Sequence, residues 1–197
     1  MGLMRGRRSV RWFTDEPVEP SVVRLILEAG RWAPSPHGRQ PWRFAVLTRS
    51  DPKVRLADAM AATWREQLAL DNQPEAVVAT RLRKARERLV GAPVVVILCL
   101  YLDDLDVYSD DERQAAETTM AVQSLGAAGQ NMLLAAYGVG LDGGWMCAPL
   151  FCPDVVRGAL GLHQQLIPHA MLTFGRAARD PVRRERRPLD ELVELYE

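Results

Sequence analysis

Arg7, Arg8, Ser9 and Arg11 place three guanidinium forks and a hydroxyl within five residues, enough to wrap one phosphate through paired, charge-assisted bonds. A second cationic cluster, Arg183, Arg184, Arg186 and Arg187, lies near the other end, and Asp103, Asp104, Asp106, Asp110 and Asp111 crowd the middle. Between residues 33 and 42 runs a proline-stiffened turn, Ala33-Pro34-Ser35-Pro36-His37-Gly38-Arg39-Gln40-Pro41-Trp42, in which His37 offers a proton or a hydrogen bond to an anionic ligand. The adjacent pair Gly143 and Gly144 precedes Trp145, and two residues without side chains let a flat ligand lie against bare main chain. Trp64 completes the set with a ring able to stack on a flat ligand.

Each of these residues also has a plainer role. A short basic run is usually solvated, a histidine beside prolines usually packs a turn, and the helical spacing of Trp64 favours core packing. Gly138-Val139-Gly140-Leu141-Asp142-Gly143 spells GxGxxG, but a dinucleotide site needs a strand before the glycines and a helix after them. Here a long helical pattern precedes and a strand pattern follows, so the Rossmann reading is rejected. Gly138 suits the left-handed residue that closes a helix. No Ser-His-Asp set or paired carboxylates stand out, and His163 and His169 receive no role.

The elements that must carry these residues follow from periodicity. Val22, Ile26, Ala29 and Ala33 predict a helix over 21–33, closed by Pro34; Trp42, Phe44 and Val46 alternate as a strand. Val54, Ala57, Ala61, Trp64 and Leu68 mark a second helix, 74–90 a charged third, and Pro93 to Leu100 a strand covered on both faces. From Asp111 to Tyr137 the helical pattern has almost no polar face beyond Gln123, Ser124, Gln130 and Asn131, so this helix is expected to be buried all round, by its own chain or by a second subunit. Strands near 141–146 and 169–175 flank a helix at 153–161 begun by Pro153. The expected fold is one α+β domain spanning 1–197, with a small, mostly buried sheet.

Composition sets the outer limits. With 48% apolar and 25% charged residues in 197, the chain is globular, neither disordered nor fibrous. Its 25 Lys+Arg cancel its 25 Asp+Glu, which gives no reason to expect nucleic acid or an anionic membrane as partner. The longest apolar run, Val94 to Leu100, falls far short of the ~20 residues of a membrane helix, and the basic start lacks the apolar stretch of a secretory signal, so a cytoplasmic address is expected. Cys99, Cys147 and Cys152 are odd in number and lack CxxC spacing; neither a disulfide framework nor a metal site is expected, and Cys99 is a packed thiol.

Five motifs in order resemble the FMN-dependent nitroreductase family across essentially the whole chain: Arg7 to Phe13 (RRSVRxF), Ala33 to Trp42 (APSxxxxQPW), Gln130 to Ala136, Gly140 to Trp145, and Arg184-x-Arg186-x-Pro188. A narrower likeness, carried by Pro34-x-Pro36-His37, Trp42-Arg43-Phe44, the Trp64 helix, Arg113 to Met120 and Phe151 to Leu162, is to the nitroreductase-like C-terminal domain of the bifunctional protein that makes the deazaflavin coenzyme F-420. The resemblance implies an α+β sandwich, dimeric through a long central helix, with FMN at each of two subunit contacts.

Carried over, Arg7, Arg8, Ser9 and Arg11 match the segment that grips the phosphate and ribityl chain, joined by Arg184 and Arg186. Pro34, Ser35 and Pro36 match the turn that lies beside the flavin from the partner subunit, Gly143 and Gly144 the backbone beneath the ring, and Arg88 a cation near its pyrimidine edge. His37, Arg39 and Trp64 are left for the substrate. Gly38 stands where the family commonly has Asn, which removes one side-chain hydrogen bond. The implied activity is hydride transfer through flavin N5 to a small molecule, either the dehydro precursor of coenzyme F-420 or, with NAD(P)H as donor, a range of nitro and quinone compounds. The alternative from another class is a dimer that stores FMN without turnover.

Overall fold

The computed structural model describes residues 1–181 and 185–197. Its sheet has four antiparallel strands in the order β1-β2-β4-β3: β1 Trp42–Leu47, β2 Val94–Tyr101, β3 Asp142–Met146 and β4 Leu166–Gly175. Six helices surround it: α1 Gly2–Gly6, α2 Pro20–Arg31, α3 Ser50–Leu70, α4 Glu75–Val90, α5 Asp111–Gly138 and α6 Pro153–Leu160. The α+β sandwich expected from the sequence is what forms.

Side chains alternate across a strand, and β2 uses both directions for the core. Val94, Val96, Leu98 and Leu100 face α2 and α5, while Val95, Ile97 and Cys99 face α3 and α6. All seven are at most 2% exposed, which is why this stretch lacks the polar alternation of a half-buried strand. Burial pushes the Cys99 thiol up to about 12, so it packs as a neutral hydrophobe. Beneath β2, α2 lies close on α5: a Cβ on Gly30 would come within 2.3 Å of the Met132 side chain, and Asn131 Nδ2 donates to Ala29 O at 3.2 Å.

Helix α5 is not wrapped by its own chain. Glu117, Ala121, Ser124, Leu125, Ala128, Met132, Leu133 and Ala136 are buried, but Ala116, Thr119, Met120, Gln123 and Gln130, one turn apart, share an exposed face. Two details differ from the sequence-based expectation. The helix runs through Gly138, and the left-handed residue is Gly140 (φ +82°); Leu141 N–H then reaches back to Ala136 O at 2.9 Å to close the end. Strand β4 begins at Leu166 rather than 169, because Pro168 sits where the β2–β4 register shifts at Leu98/Cys99, one of the few sheet positions that tolerates a missing donor.

Candidate functional site

The N-terminal segment becomes part of the sheet. Val10 N–H donates to Gly143 O at 2.9 Å, with Ser9 bridged in parallel to Gly143; further on, Thr14 N–H reaches Arg176 O at 2.9 Å and Ala178 N–H reaches Trp12 O at 3.0 Å. Residues 9–14 thus run along β3 and then along the exit of β4. This fixes Arg7, Arg8, Ser9 and Arg11 beside the glycine pair.

Both glycines are required by that arrangement. A Cβ on Gly144 would stand 2.2 Å from Val10 O, and one on Gly143 would stand 2.7 Å from Leu133 Cδ2. Packing within the chain therefore explains the absence of side chains here, without appeal to a ligand. Thr173 Oγ1, next to Gly144, is buried with no hydrogen-bond partner.

The cations are less completely satisfied. Arg8 Nη1 donates to Arg5 O and Arg7 O, but the Nε atoms of Arg7 and Arg8 are both buried and lack an acceptor among the described residues. Neither side chain has a carboxylate within salt-bridge range among the described residues. Ser9 and Arg11 are exposed. Buried donors without acceptors are costly, and this set fits an oxyanion such as the phosphate of FMN. Arg186 is exposed on the tail; Arg184, with Arg183, lies outside the described residues.

The proline turn lies elsewhere. Pro36–Gly38 makes a tight turn with His37 at φ +52°, and Gln40 has φ +53°. Gln40 N–H donates to Ser35 Oγ at 3.0 Å. Arg39 is already engaged, by Asp104 O at 2.9 Å and by the Asp106 carboxylate, and Arg43 pairs with Asp104 at 2.9 Å. That loop is in turn held from α5, where Gln114 Oε1 accepts from Tyr108 N–H at 3.0 Å. His37 is exposed and Pro34 bare to solvent.

Register shows how far apart these groups are. Trp42, next to the turn, pairs with Leu100, whereas Gly143 pairs with Phe174 and Phe174 with Val94. The two positions are three strand spacings apart across the sheet, about 14 Å, and six residues apart along it, about 20 Å. Within one chain the turn and the glycine pair occupy opposite corners.

Trp64 and Arg88 meet at a third place, an apolar cavity of about 680 Å³ between α3, α4 and the segment after β3. Its walls include Met60, Trp64, Leu89, Met146 and Phe151, and nothing in the periodicity of α3 announces it. Arg88 also lies over the Trp12 ring at 5.5 Å, with Arg179 over the same ring at 5.4 Å, so it joins the cavity to the N-terminal segment. Neither His37 nor Arg39 lines it. Among the described residues, no group of three His, Cys, Asp or Glu side chains is arranged to hold a metal, and no helix is long and apolar enough to cross a membrane.

Comparison with known proteins decides the family: the nitroreductase family model matches residues 4–176. The chain belongs to the nitroreductase family. Among solved nitroreductase-like structures, a Desulfovibrio desulfuricans protein provisionally named a nitroreductase and determined in complex with FMN is 32% identical, with a TM-score of 0.74 over 99% of this chain and 95% of that one. A BluB-like flavoprotein from Clostridium difficile superposes with a TM-score of 0.82 over 99% of this chain and 97% of that one, at 23% identity, and so shares the fold. A Thermus thermophilus protein named NADH dehydrogenase is 27% identical over 215 residues, covering 95% of this nitroreductase and 91% of that protein.

Proposed function

We propose that this nitroreductase is an FMN-dependent oxidoreductase, acting as a homodimer, that passes hydride from NAD(P)H to a small-molecule acceptor. The observation that carries the reading is the Arg7–Arg11 segment, stitched to the glycine strand with two buried guanidinium N–H groups that lack acceptors. Arg7, Arg8 and Ser9 would hold the phosphate, with Arg11 and Arg186 beside them, and the Gly143–Gly144 main chain would border the ring. The FMN-bound relative at 32% identity supports the same group here, and the NADH dehydrogenase relative supports a nicotinamide donor.

Bound FMN supplies hydride acceptance and delivery. The chain's own contribution is to bind, orient and exclude water. Because Pro34, Ser35 and Pro36 lie at the opposite corner of the sheet from Gly143, a turn that covers the ring must come from the second copy, which is what the family resemblance implies. Cationic groups from the N-terminal segment would stabilise the negative charge that gathers on a reduced ring.

Within this class, the stretches Arg113–Met120 and Phe151–Leu162 favour the dehydro precursor of coenzyme F-420 as acceptor. The competing assignment is a broad nitro or quinone reductase. The purified protein is expected to show oxidised-flavin absorption at one FMN per chain, bleached by NADH or NADPH and restored by the acceptor. Colourless protein that takes up no added FMN would overturn the cofactor assignment. Restoration by nitroaromatics but not by the dehydro precursor would overturn the narrower one, and a reduced protein that no acceptor reoxidises would make it a flavin-storage dimer.

A further inference from the structure

The proline turn holds its backbone in a conformation that side chains disfavour. His37 stands at φ +52° and Gln40 at φ +53°, with Gly38 between them at +66°. A left-handed residue that carries a Cβ persists only where its surroundings hold it. Gly38 N–H reaches Ser35 O and Arg39 N–H reaches Pro36 O, both at 3.1 Å, and Gln40 N–H reaches Ser35 Oγ at 3.0 Å. These bonds close the turn on itself and leave its attachment to other parts of the chain to longer side chains.

Two arginines make that attachment. Arg39, seated between the left-handed Gly38 and Gln40, donates from Nη1 to Asp104 O at 2.9 Å and from Nη2 to the Asp106 carboxylate. Arg43 donates from Nη1 to Gln40 O at 3.3 Å and from Nη2 to Asp104 Oδ2 at 2.9 Å, with its guanidinium over the Tyr101 ring at 4.8 Å. Both aspartates stand on the loop between β2 and α5, and α5 fastens that loop in turn. Asp106 N–H donates to Glu117 Oε1 at 3.4 Å, and Gln114 accepts from Tyr108 N–H at 3.0 Å while donating to Asp106 O at 3.4 Å. Glu117 is 1% exposed, so the anchor on the helix is buried, whereas the Arg39 and Asp106 side chains are 34% and 39% exposed. A continuous run of bonds thus leads from the long central helix to the turn.

We propose that Arg39 and Asp106 are positioning residues: their pairing holds residues 34–36 where the turn covers the partner subunit's flavin, on the reading above in which two copies share each flavin. The Arg39 guanidinium serves the loop rather than the acceptor. One exposed ion pair adds little to the stability of a whole fold, but a turn kept against its backbone preference needs only a small bias to stay closed.

The test uses holoenzyme with one FMN per chain, photoreduced without oxygen and mixed with oxygenated buffer. Dioxygen is small and neutral, so its rate of attack on the reduced ring reports cover rather than charge. Arg39→Gln and Asp106→Asn should each raise the second-order reoxidation rate by about fivefold, the shift available from one surface pair. Arg39→Lys, which keeps the charge but not the two-armed fork, should fall between parent and Arg39→Gln. The double variant Arg39→Gln/Asp106→Asn should stay within about twofold of either single variant, because the same pair is lost only once. Salt at about 0.5 M screens an exposed pair and should bring the parent's rate toward that of Arg39→Gln without altering the variant's. Parent-like rates in both single variants, or rates that multiply in the double variant, would overturn the positioning role and leave the flavin reading intact. Protein that binds no FMN, or that stays single-chain with FMN bound, would overturn the shared-flavin reading and the positioning role together.

Discussion

At the scale of single residues, the groups that matter most are buried polar atoms with incomplete partners. Arg7 illustrates a donor awaiting an acceptor. Arg7→Ala is expected to weaken FMN binding by about 1.5–3 kcal/mol, the contribution of a hydrogen bond to a charged group, measured by fluorescence titration of the flavin; unchanged affinity would detach the N-terminal segment from the cofactor. Lys53 illustrates the opposite case. It is 4% exposed, and its Nζ donates to Ala92 O at 2.6 Å and Pro93 O at 2.8 Å, tying α3 to the start of β2. Lys53→Met keeps the apolar stem and leaves two carbonyls unsatisfied, so unfolding in urea should show a loss of about 1–3 kcal/mol. Burial holds the Lys53 ammonium below its ordinary 10.5. The unfolded chain then binds the proton more tightly than the folded one, so the burial penalty is full at neutral pH and disappears as pH rises through the lowered value to 10.5. Wild-type stability relative to Lys53→Met should therefore improve across that alkaline window, and a flat difference would contradict the assignment.

At the scale of elements, periodicity revealed most of what exists and little of what meets. The seven-residue core of β2, the long, mostly apolar α5 and the amphipathic α2 are local patterns, and the structure has them near the expected bounds. Helix α1 escaped because five residues, GLMRG, carry no periodic signal, and the first three residues of β4 escaped because Pro168 sits in the strand only by virtue of a register shift against β2 that no local pattern marks. Trp64 fits the helical spacing of core residues, yet its helix leaves it in a cavity wall; which face of α3 is covered depends on α4 and on the segment after β3, and no window along the chain contains all three. The glycine pair shows the same limit. A sequence can mark close approach but cannot say by what, and here it is Val10 O, 2.2 Å from a Cβ at 144. Gly144→Ala must push residues 9–11 off β3, at about 1–3 kcal/mol of stability, with flavin affinity falling alongside because Ser9 and the arginines move too. Thermal unfolding and flavin retention on the same sample check this, and a variant as stable and as yellow as the parent would show that the N-terminal segment docks without the strand contact.

At the scale of the whole molecule, two stretches among the described residues stay uncovered where a second chain could lie. One is the mixed α5 face on which Met120, 37% exposed, sits between Thr119 and Gln123; the other is the tail, where Leu189, Leu192, Leu195 and Tyr196 are 61–94% exposed. Fourteen ångströms across the sheet and twenty along it separate the proline turn from the glycine strand, on the strand spacings that set those approximate figures, so a site needing both needs two chains. A second copy related by a two-fold axis would cover the same face on both partners, as self-complementary contacts do. The protein is expected to sediment at about twice its chain mass of 22.0 kDa. Met120→Glu puts a charge in the middle of the proposed contact, where an unpaired buried carboxylate is strongly unfavourable; it should shift sedimentation toward the single-chain mass and release FMN in step. Removal of residues 188–197 should weaken the same association without disturbing the α5 face. If Met120→Glu leaves both the mass and the colour intact, the uncovered helix face is not the subunit contact, and the turn that shields the flavin must be brought in along another surface.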